Sequence, residues 1–462
     1  MTERSRNSRS LILFAIIVTS FINPFLGAAI NIALPAISAD FSLGAVGMSW
    51  VSMAFMLSSA VFLVPLGKLA DIRGRKQIFF IGNIIIALSS ILCALAPSGA
   101  VLIILRAFQG IGSAMVFGTG MAIITSVYPP KERGKAIGII VTSVYIGLSL
   151  APFLGGILTQ YLGWRSIFIA TVPFELLVIW IIWRYVKEEW ADARGERFDL
   201  SGSIIYLFSM SALMFGFSRL PETSAIILVV AGLFGLLGFG VLEMKVKSPI
   251  FNLRLFTSNR LFAFSNLAAL INYATTTAIT FLLSLYLQYI LGLSPRDAGM
   301  ILIAQPIMMA IIASISGKLS DSHDPRILAS AGMGVIAVGL VMLTFLSEHS
   351  SISYLLVILA IVGFGFGMFS SPNTNAIMSS VEKKYLGVAS ATVGTMRLTG
   401  QMLSMVIATL ILQVFIGNNP ISAQYASGFM TSMKTTFVVF VILCIVGLFS
   451  SLARGRSVQE ER

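Results

Sequence analysis

Along the chain, apolar runs of roughly twenty positions alternate with short polar bursts. A bilayer core about 30 Å thick is crossed by about twenty helical residues, so each run predicts one transmembrane helix. Fourteen spans are predicted, near 11–37, 46–66, 77–97, 99–127, 136–162, 166–186, 203–219, 224–244, 261–290, 297–317, 327–346, 353–379, 386–416 and 433–453. The first run passes Pro24 and continues to about Ile37, too long for the apolar stretch of a signal peptide, and is read as an uncleaved span. An even number of spans puts both termini on one side.

Basic residues choose that side. With both termini cytoplasmic, inner segments carry 25 of the 31 Lys and Arg, outer segments carry 4, and Arg106 and Arg397 fall within spans. Positive charge is retained on the cytoplasmic side, so both termini are expected there. The net charge of +12 is then a topology signal and predicts no nucleic-acid partner, because its basic residues are divided among eight inner segments. Hydrophobic residues make up 57% and charged residues 11%, against roughly 25% charged in a soluble domain. The fold class expected is all-α integral membrane, embedded in the lipid bilayer. Cys93 and Cys444 fall in apolar runs and read as buried packing. His323 and His349 lie in loops and form no ligand cluster, so no metal or cofactor is predicted. The "GFGFG" at Gly363 follows no strand and reads as close helix packing, not a nucleotide loop; nothing points to an enzyme.

The stretch "GKLADIRGRK" begins at Gly67 and "GKLSDSHDPR" at Gly317. Both follow even-numbered spans, the second and the tenth, which indicates a parallel duplication of a helical bundle. A plain duplication of six spans would set the copies six spans apart; here they are eight apart, so two extra spans are inserted. Spans 7 and 8 are the candidates, flanked by the two longest polar interruptions. The expected division is an N-terminal six-helix bundle in 1–188, a linker with two additional helices in 189–252, and a C-terminal six-helix bundle in 253–462.

The first loop is similar to the signature loop of the major facilitator superfamily. "LIILRAFQGIGSAM" resembles that family's fourth-helix motif and "GLSLAPFLGG" its fifth-helix antiporter motif. "NIALPAI", "YPPKERGKA", "GWRSIFIATVP", "RFDLSG", "NLRLF" and "SPNTNAIMSSV" resemble the fourteen-span drug:proton antiporter branch, whose members export quaternary ammonium compounds and tetracycline. The resemblance implies a major facilitator fold, alternating access, a small-molecule substrate, protons as coupling ions and a bacterial-type plasma (inner) membrane; a monomer is expected. It further implies that Asp71, Arg75 and Arg133 form a gating latch, with Asp321 and Arg326 as its weaker second copy.

Gly67 is expected to allow close helix approach. Gly147, Ala151 and Gly155 recur at every fourth position and make one smooth face; Gly156 and the helix-bending Pro152 belong to the same motif. A charge at mid-bilayer costs roughly 2.5–3.5 kcal/mol on insertion scales, so Arg106 and Arg397 are candidates for a charged cavity; for Arg397, a helix end or snorkelling is the alternative. The family's usual first-span acid, five residues before Asn31, is here Leu26. Glu175 is the one carboxylate predicted well inside a span, and it is the candidate for proton coupling; the alternative is a place near the outer headgroups, since span 6 starts outside at about Ser166. Asn31, Gln109, Tyr145, Asn272, Tyr273, Gln305, Asn373, Asn375 and Gln401 are candidates for a substrate pathway, although each alone reads more simply as a helix–helix hydrogen bond. The expected function is export of drugs or other small amphipathic compounds by proton antiport. The alternative is a facilitator or exporter of lipid or anionic metabolites, favoured by two arginines against one carboxylate. A sensor built on a transporter scaffold would need an extra soluble signalling domain, and no polar segment is long enough.

Overall fold

The computed structural model describes residues 3–454 apart from 221, 247–248, 252–253, 321, 383–385, 418, 420 and 422. The first eight helices are α1 (Glu3–Phe41), α2 (Ala45–Arg73), α3 (Arg75–Ala94), α4 (Gly99–Val127), α5 (Pro130–Leu162), α6 (Arg165–Tyr185), α7 (Leu200–Arg219) and α8 (Thr223–Glu243). Eight more follow: α9 (Arg254–Ser258), α10 (Arg260–Leu285), α11 (Pro295–Leu302), α12 (Ala304–Leu319), α13 (Pro325–Thr344), α14 (Ile352–Ser379), α15 (Leu386–Phe415) and α16 (Ala426–Ala453). Among the described residues fourteen helical segments are long and apolar enough to cross a membrane, as the apolar runs predict.

Two spans are interrupted, which the pattern of apolar residues does not show. The ninth ends in one π-turn, Tyr286–Ile290. The tenth, Pro295–Leu319, breaks at Ile303 between α11 and α12. Pro306 lacks the amide that would bond the Leu302 carbonyl, so the ladder fails there.

Glycines set how closely the helices approach, and they do so in the same way in both halves. A side chain on Gly82 would meet the Gly112 carbonyl at 3.0 Å, and one on Gly112 the Gly82 carbonyl at 2.8 Å, so α3 and α4 touch backbone to backbone. Gly332 and Gly365 form the matching reciprocal pair between α13 and α14, each 2.7 Å from the other's carbonyl. Ser59 Oγ donates to the Gly110 carbonyl at 3.1 Å, joining α2 to α4, and Ser316 Oγ donates to Gly367 at 2.8 Å, joining α12 to α14. The repeat read from the loops is thus present in the packing. Gly67, by contrast, has open space where a side chain would stand, so close approach is not what it supplies.

The structure is two six-helix bundles with two additional helices. The bundles meet where α2 faces α15, where α5 faces α11 and α12, and where α1 faces α10. Antiporter-motif residues line one of these seams, α5 against α11, and the contact of α5 with α1 inside its own bundle. Gly147 and Gly155 press α5 onto Phe21 and Ala29 of its own bundle, while Gly156 abuts the Pro295 carbonyl and Gly299 the Pro152 carbonyl across the bundles. Hydrogen bonds between bundles lie mainly in the outer half: Ser284 Oγ to the Asn31 carbonyl (2.8 Å), Gln288 Nε2 to the Ile32 carbonyl (3.0 Å), the Ala45 amide to Asn419 (3.1 Å) and Arg296 Nη1 to Tyr161 Oη (3.2 Å). The α7–α8 hairpin is peripheral. α7 rests on α2 and α15, with Trp50 and Phe215 in ring contact, while α8 exposes Ile227, Leu233, Phe234 and Leu237.

Gly155→Val forces a branched side chain onto Ala29, whose Cβ, Cα and carbonyl lie 2.9–3.1 Å from the added carbon. Overpacking of this kind costs about 1–3 kcal/mol. In purified protein followed by thermal unfolding, Gly155→Val should melt several degrees lower, whereas Gly138→Ala, with no neighbour within 4 Å, should melt no lower than wild type.

Candidate functional site

Depth along the helices decides which of the predicted residues meet. Tyr145 stands nine residues inside the span that begins at Ala136, about 13.5 Å at 1.5 Å per residue, hence near mid-bilayer. Its hydroxyl and Ser370 Oγ share a hydrogen bond of 2.9 Å across the two bundles, and Tyr273 and Arg397 lie within its electrostatic reach. The Tyr273 ring meets Phe366 edge-on at 5.4 Å, and the Arg397 guanidinium lies 5.0 Å from the Phe117 ring with its Nε buried and without a partner. Tyr145, Tyr273 and Arg397 therefore form, with Phe117, Phe366 and Ser370, a belt where the bundles face each other. Gln401 is half-buried one helical turn beyond Arg397. Asn272, beside Tyr273 in sequence, is enclosed with neither side-chain polar atom bonded. Gln305 is buried just after the α11–α12 break, its carbonyl pressed against Gly363.

Other candidates are held inside single bundles. Arg106 is 0% exposed within the N-terminal bundle. It donates Nε to the Val51 carbonyl at 3.2 Å and Nη1 to Gln109 Oε1, which in turn donates Nε2 to Ser90 Oγ at 2.7 Å. The guanidinium also stacks on Phe55 at 4.4 Å, while its Nη2 is left unbonded. Phe117 is eleven residues farther along α4, about 16.5 Å, so Arg106 and Arg397 do not share one cavity. Asn31 accepts from Ser52 Oγ at 2.7 Å, Asn375 donates to Ser320 Oγ at 2.6 Å, and Asn373 donates to the Ser265 carbonyl at 3.0 Å; these side-chain bonds each lie within one bundle, although the Asn31 carbonyl also accepts Ser284 Oγ across the seam. Leu26 is wholly buried in the apolar core, in the place where the family's acid would stand.

Glu175 is 0% exposed in α6, a helix that packs on α3 and α1. Neither carboxyl oxygen has a hydrogen-bond partner, and no salt bridge reaches it among the described residues. No arginine among the described residues pairs with it.

At the inner face, Arg75 organises the first signature loop. Its Nη2 and Nε bind Asp71 Oδ1 at 2.7 and 2.8 Å, and its Nη1 binds Asp192 at 2.7 Å and Ser126 Oγ at 2.9 Å. The segment after α6 lies across this loop. Arg75 donates its amide to the Trp190 carbonyl (2.8 Å), Ala193 donates its own to the Asp71 carbonyl (3.0 Å), and Glu189 accepts the Lys76 amide at the start of α3 (2.8 Å). A carboxylate at a helix N-terminus is favoured by the backbone dipoles. Arg133 stands apart from Asp71 and donates Nε to the Tyr128 carbonyl at 2.7 Å. In the second copy Asp321 lies outside the described residues, as do Lys383, Lys384, Asn252 and Leu253; Asp324 accepts the Arg326 amide at 2.8 Å and so caps α13.

The structure adds residues that sequence reasoning missed. Arg454 reads as part of a cytoplasmic tail, yet it is 1% exposed, with Nη1 on Asn373 Oδ1 (2.9 Å) and Nη2 on the Pro325 carbonyl (2.8 Å). Burial pulls its pKa down to about 10, so it still carries its charge at neutral pH. Asp199 and Glu243 are likewise buried at the inner end of the hairpin; the "RFDLSG" stretch was the signal available. Among the described residues no group of three or more His, Cys, Asp or Glu is placed to hold a metal ion.

Two helical bundles meeting at a polar mid-bilayer belt define a membrane transporter, not an enzyme. The sequence profile described as Major Facilitator Superfamily matches residues 16–255 and 266–461, and the chain belongs to that family. It is 32% identical over 399 residues to the multidrug resistance protein Stp of Mycobacterium tuberculosis, covering 85% of this chain and 74% of that protein. It is 29% identical over 442 residues to the riboflavin transporter RibZ of Clostridioides difficile, covering 95% and 96%. In fold it is similar to a bacterial homolog of the human lysosomal transporter Spinster, solved in an inward-facing, occupied conformation (TM-score 0.68, 20% identity, 100% and 99% covered).

Arg75→Ala removes every side-chain contact that holds the 189–193 segment to this arginine. Limited trypsin digestion of detergent-solubilised protein should then cut faster at Lys187, Arg194 and Arg197, by about fivefold if about 1 kcal/mol of local stability is lost. Arg133→Ala should leave that rate unchanged.

Proposed function

We propose that the protein exports drugs or other small amphipathic compounds by alternating access, driven by proton antiport. The observation that carries this reading is Glu175. An ionised carboxylate there would be a bare charge with no donor and no cation, a costly state in a low-dielectric interior. Proton occupancy removes that charge, and proton release requires water or a cation to reach the site, which a change of conformation supplies. Glu175 would thereby replace the acid absent at Leu26. The cargo would pass the belt of Tyr145, Tyr273, Phe117 and Phe366, aromatic surfaces suited to amphipathic rings. Relatives named for multidrug resistance and for riboflavin transport support a small, ring-bearing substrate. The protein would work as a monomer in the cell inner membrane. Its N-terminal bundle would be 1–188 and its C-terminal bundle 253–462. The bonded outer seam would belong to a state closed on the outside, and the Asp71–Arg75 cluster would break as the bundles rock.

One observation favours the alternative, a facilitator or exporter of lipid or anionic metabolites. Arg397 places an incompletely bonded guanidinium in the belt itself, a suitable partner for an anionic group.

The two readings separate in liposomes carrying an internal pH dye, with a proton gradient imposed and cationic, neutral and anionic compounds added in turn. Antiport predicts substrate-dependent proton movement in wild type and its loss, by at least tenfold, in Glu175→Gln. Flux without proton movement in either protein would sink antiport. In that case, selective loss of anion flux in Arg397→Gln would support the alternative.

A further inference from the structure

Buried acid chemistry that the two-bundle core does not use lies at the inner end of the α7–α8 hairpin. Asp199 is the N-cap of α7 and accepts the Gly202 amide and Ser201 Oγ on Oδ1, both at 2.8 Å. Glu243 is the last residue of α8 and accepts the Phe251 amide on Oε2 at 3.0 Å. The two remaining oxygens, Asp199 Oδ2 and Glu243 Oε1, are buried and find no donor among the described residues. They converge on one point: a methyl carbon placed on Gly202 would lie 2.8 Å from Glu243 Oε1 and closer still to Asp199 Oδ2. The residues are only 8% and 4% exposed.

Ionised carboxyl groups only accept hydrogen bonds, so two of their oxygens facing each other in a dry place repel unless something positive lies between them. Among the described residues no cation fills that role: Arg197 and Lys245 are exposed and Lys68 of α2 is held by Glu196 at 2.7 Å, while Lys247 lies outside the described residues. Asp71 of α2 is engaged by Arg75, and neither Asp199 nor Glu243 makes a salt bridge among the described residues. A hard metal cation would ask for about six oxygen ligands, and two converge here.

We propose that Asp199 and Glu243 form a proton-binding site, holding one proton between Asp199 Oδ2 and Glu243 Oε1 and so clasping the base of the extra hairpin. The proton turns one acceptor into a donor and leaves a charge-assisted O–H···O bond. The clasp reaches beyond the hairpin. Phe251, fixed by Glu243, stacks on Phe256 (5.5 Å), which meets Phe262 of α10 edge-on (5.1 Å), so the site fastens α7 and α8 to the first helix of the C-terminal bundle. Loss of the proton leaves two like charges at this joint.

The test uses the full-length protein in lipid nanodiscs. Infrared spectra at neutral pH should contain a protonated-carboxyl band that Glu243→Gln removes, distinct from any band removed by Glu175→Gln. The unfolding temperature of wild type should fall as pH is raised into the alkaline range. Glu243→Gln, whose amide can donate to Asp199 without a proton, should lose that fall. If this variant fails to assemble, Asp199→Asn, which retains an N-cap side chain, carries the same two readouts. A band and a pH slope unchanged in the variant would overturn the proposal. So would stabilisation of wild type by sodium over choline chloride that the variant abolishes, since the occupant would then be a metal cation. A melting temperature that Lys247→Ala lowers as much as Glu243→Ala would also overturn it, by assigning the compensation to a lysine. Liposome antiport is unaffected by any of these outcomes, so this site and the transport reading fail separately.

Discussion

In hydrocarbon no water is present to bond an exposed amide, so every peptide group must find its partner within the protein. For a single chain without strands among its described residues, that leaves helices, and most of this structure follows from helices having to find one another without a hydrophobic drive between them. Hydrogen bonds between membrane helices contribute only about 0.6 kcal/mol each on average. Close backbone contact therefore has to supply much of the association. Gly82 against Gly112, and Gly332 against Gly365, show how: the absent side chains let carbonyls of neighbouring helices approach within about 3 Å of where a Cβ would stand.

The same constraint explains how the polar residues are distributed. Most are spent inside one bundle: Arg106 on Val51, Gln109 and Phe55, and Asn373 on Ser265 and Arg454. Several keep a buried polar atom unbonded among the described residues, Arg106 Nη2 and both side-chain polar atoms of Asn272 included. Arg397 keeps a free Nε in the belt between bundles, neither Glu175 oxygen has a partner among the described residues, and Asp199 and Glu243 turn one oxygen each toward the same point. An unpaired buried group is unstable on its own, which is why a ligand group is proposed for Arg397 and protons for the carboxyls.

The inserted hairpin is more than an appendage to the two bundles. It joins the N-terminal bundle through a segment bonded across the Asp71–Arg75 loop, and it meets the C-terminal bundle through α15 and the Phe251–Phe256–Phe262 stack. That connection touches both bundles, and it is where the proposed gate and the proposed proton site both lie.

Span number, the insertion of two helices and the duplication were legible in the residues, because bilayer thickness converts directly into run length and a repeated loop survives as text. The family resemblance pointed to Asp71, Arg75 and Arg133 together; Asp71 and Arg75, four residues apart, do pair, while Arg133 bonds the Tyr128 carbonyl instead. What could not be read was which polar side chains meet. Arg106 and Arg397 look alike in sequence, each a lone arginine in an apolar run, yet one is sealed inside a bundle and the other faces the seam, because that depends on helix rotation and depth. Arg454 looked like tail and proved to be core, since the end of α16 is set by what it packs against. Glu243 closes an apolar run, and only the fold of the hairpin brings it onto Asp199, forty-four residues earlier in the chain. Hydropathy is a property of each residue and its near neighbours, and it determined the helices; pairing across helices depends on three-dimensional distance, which tertiary structure alone decides.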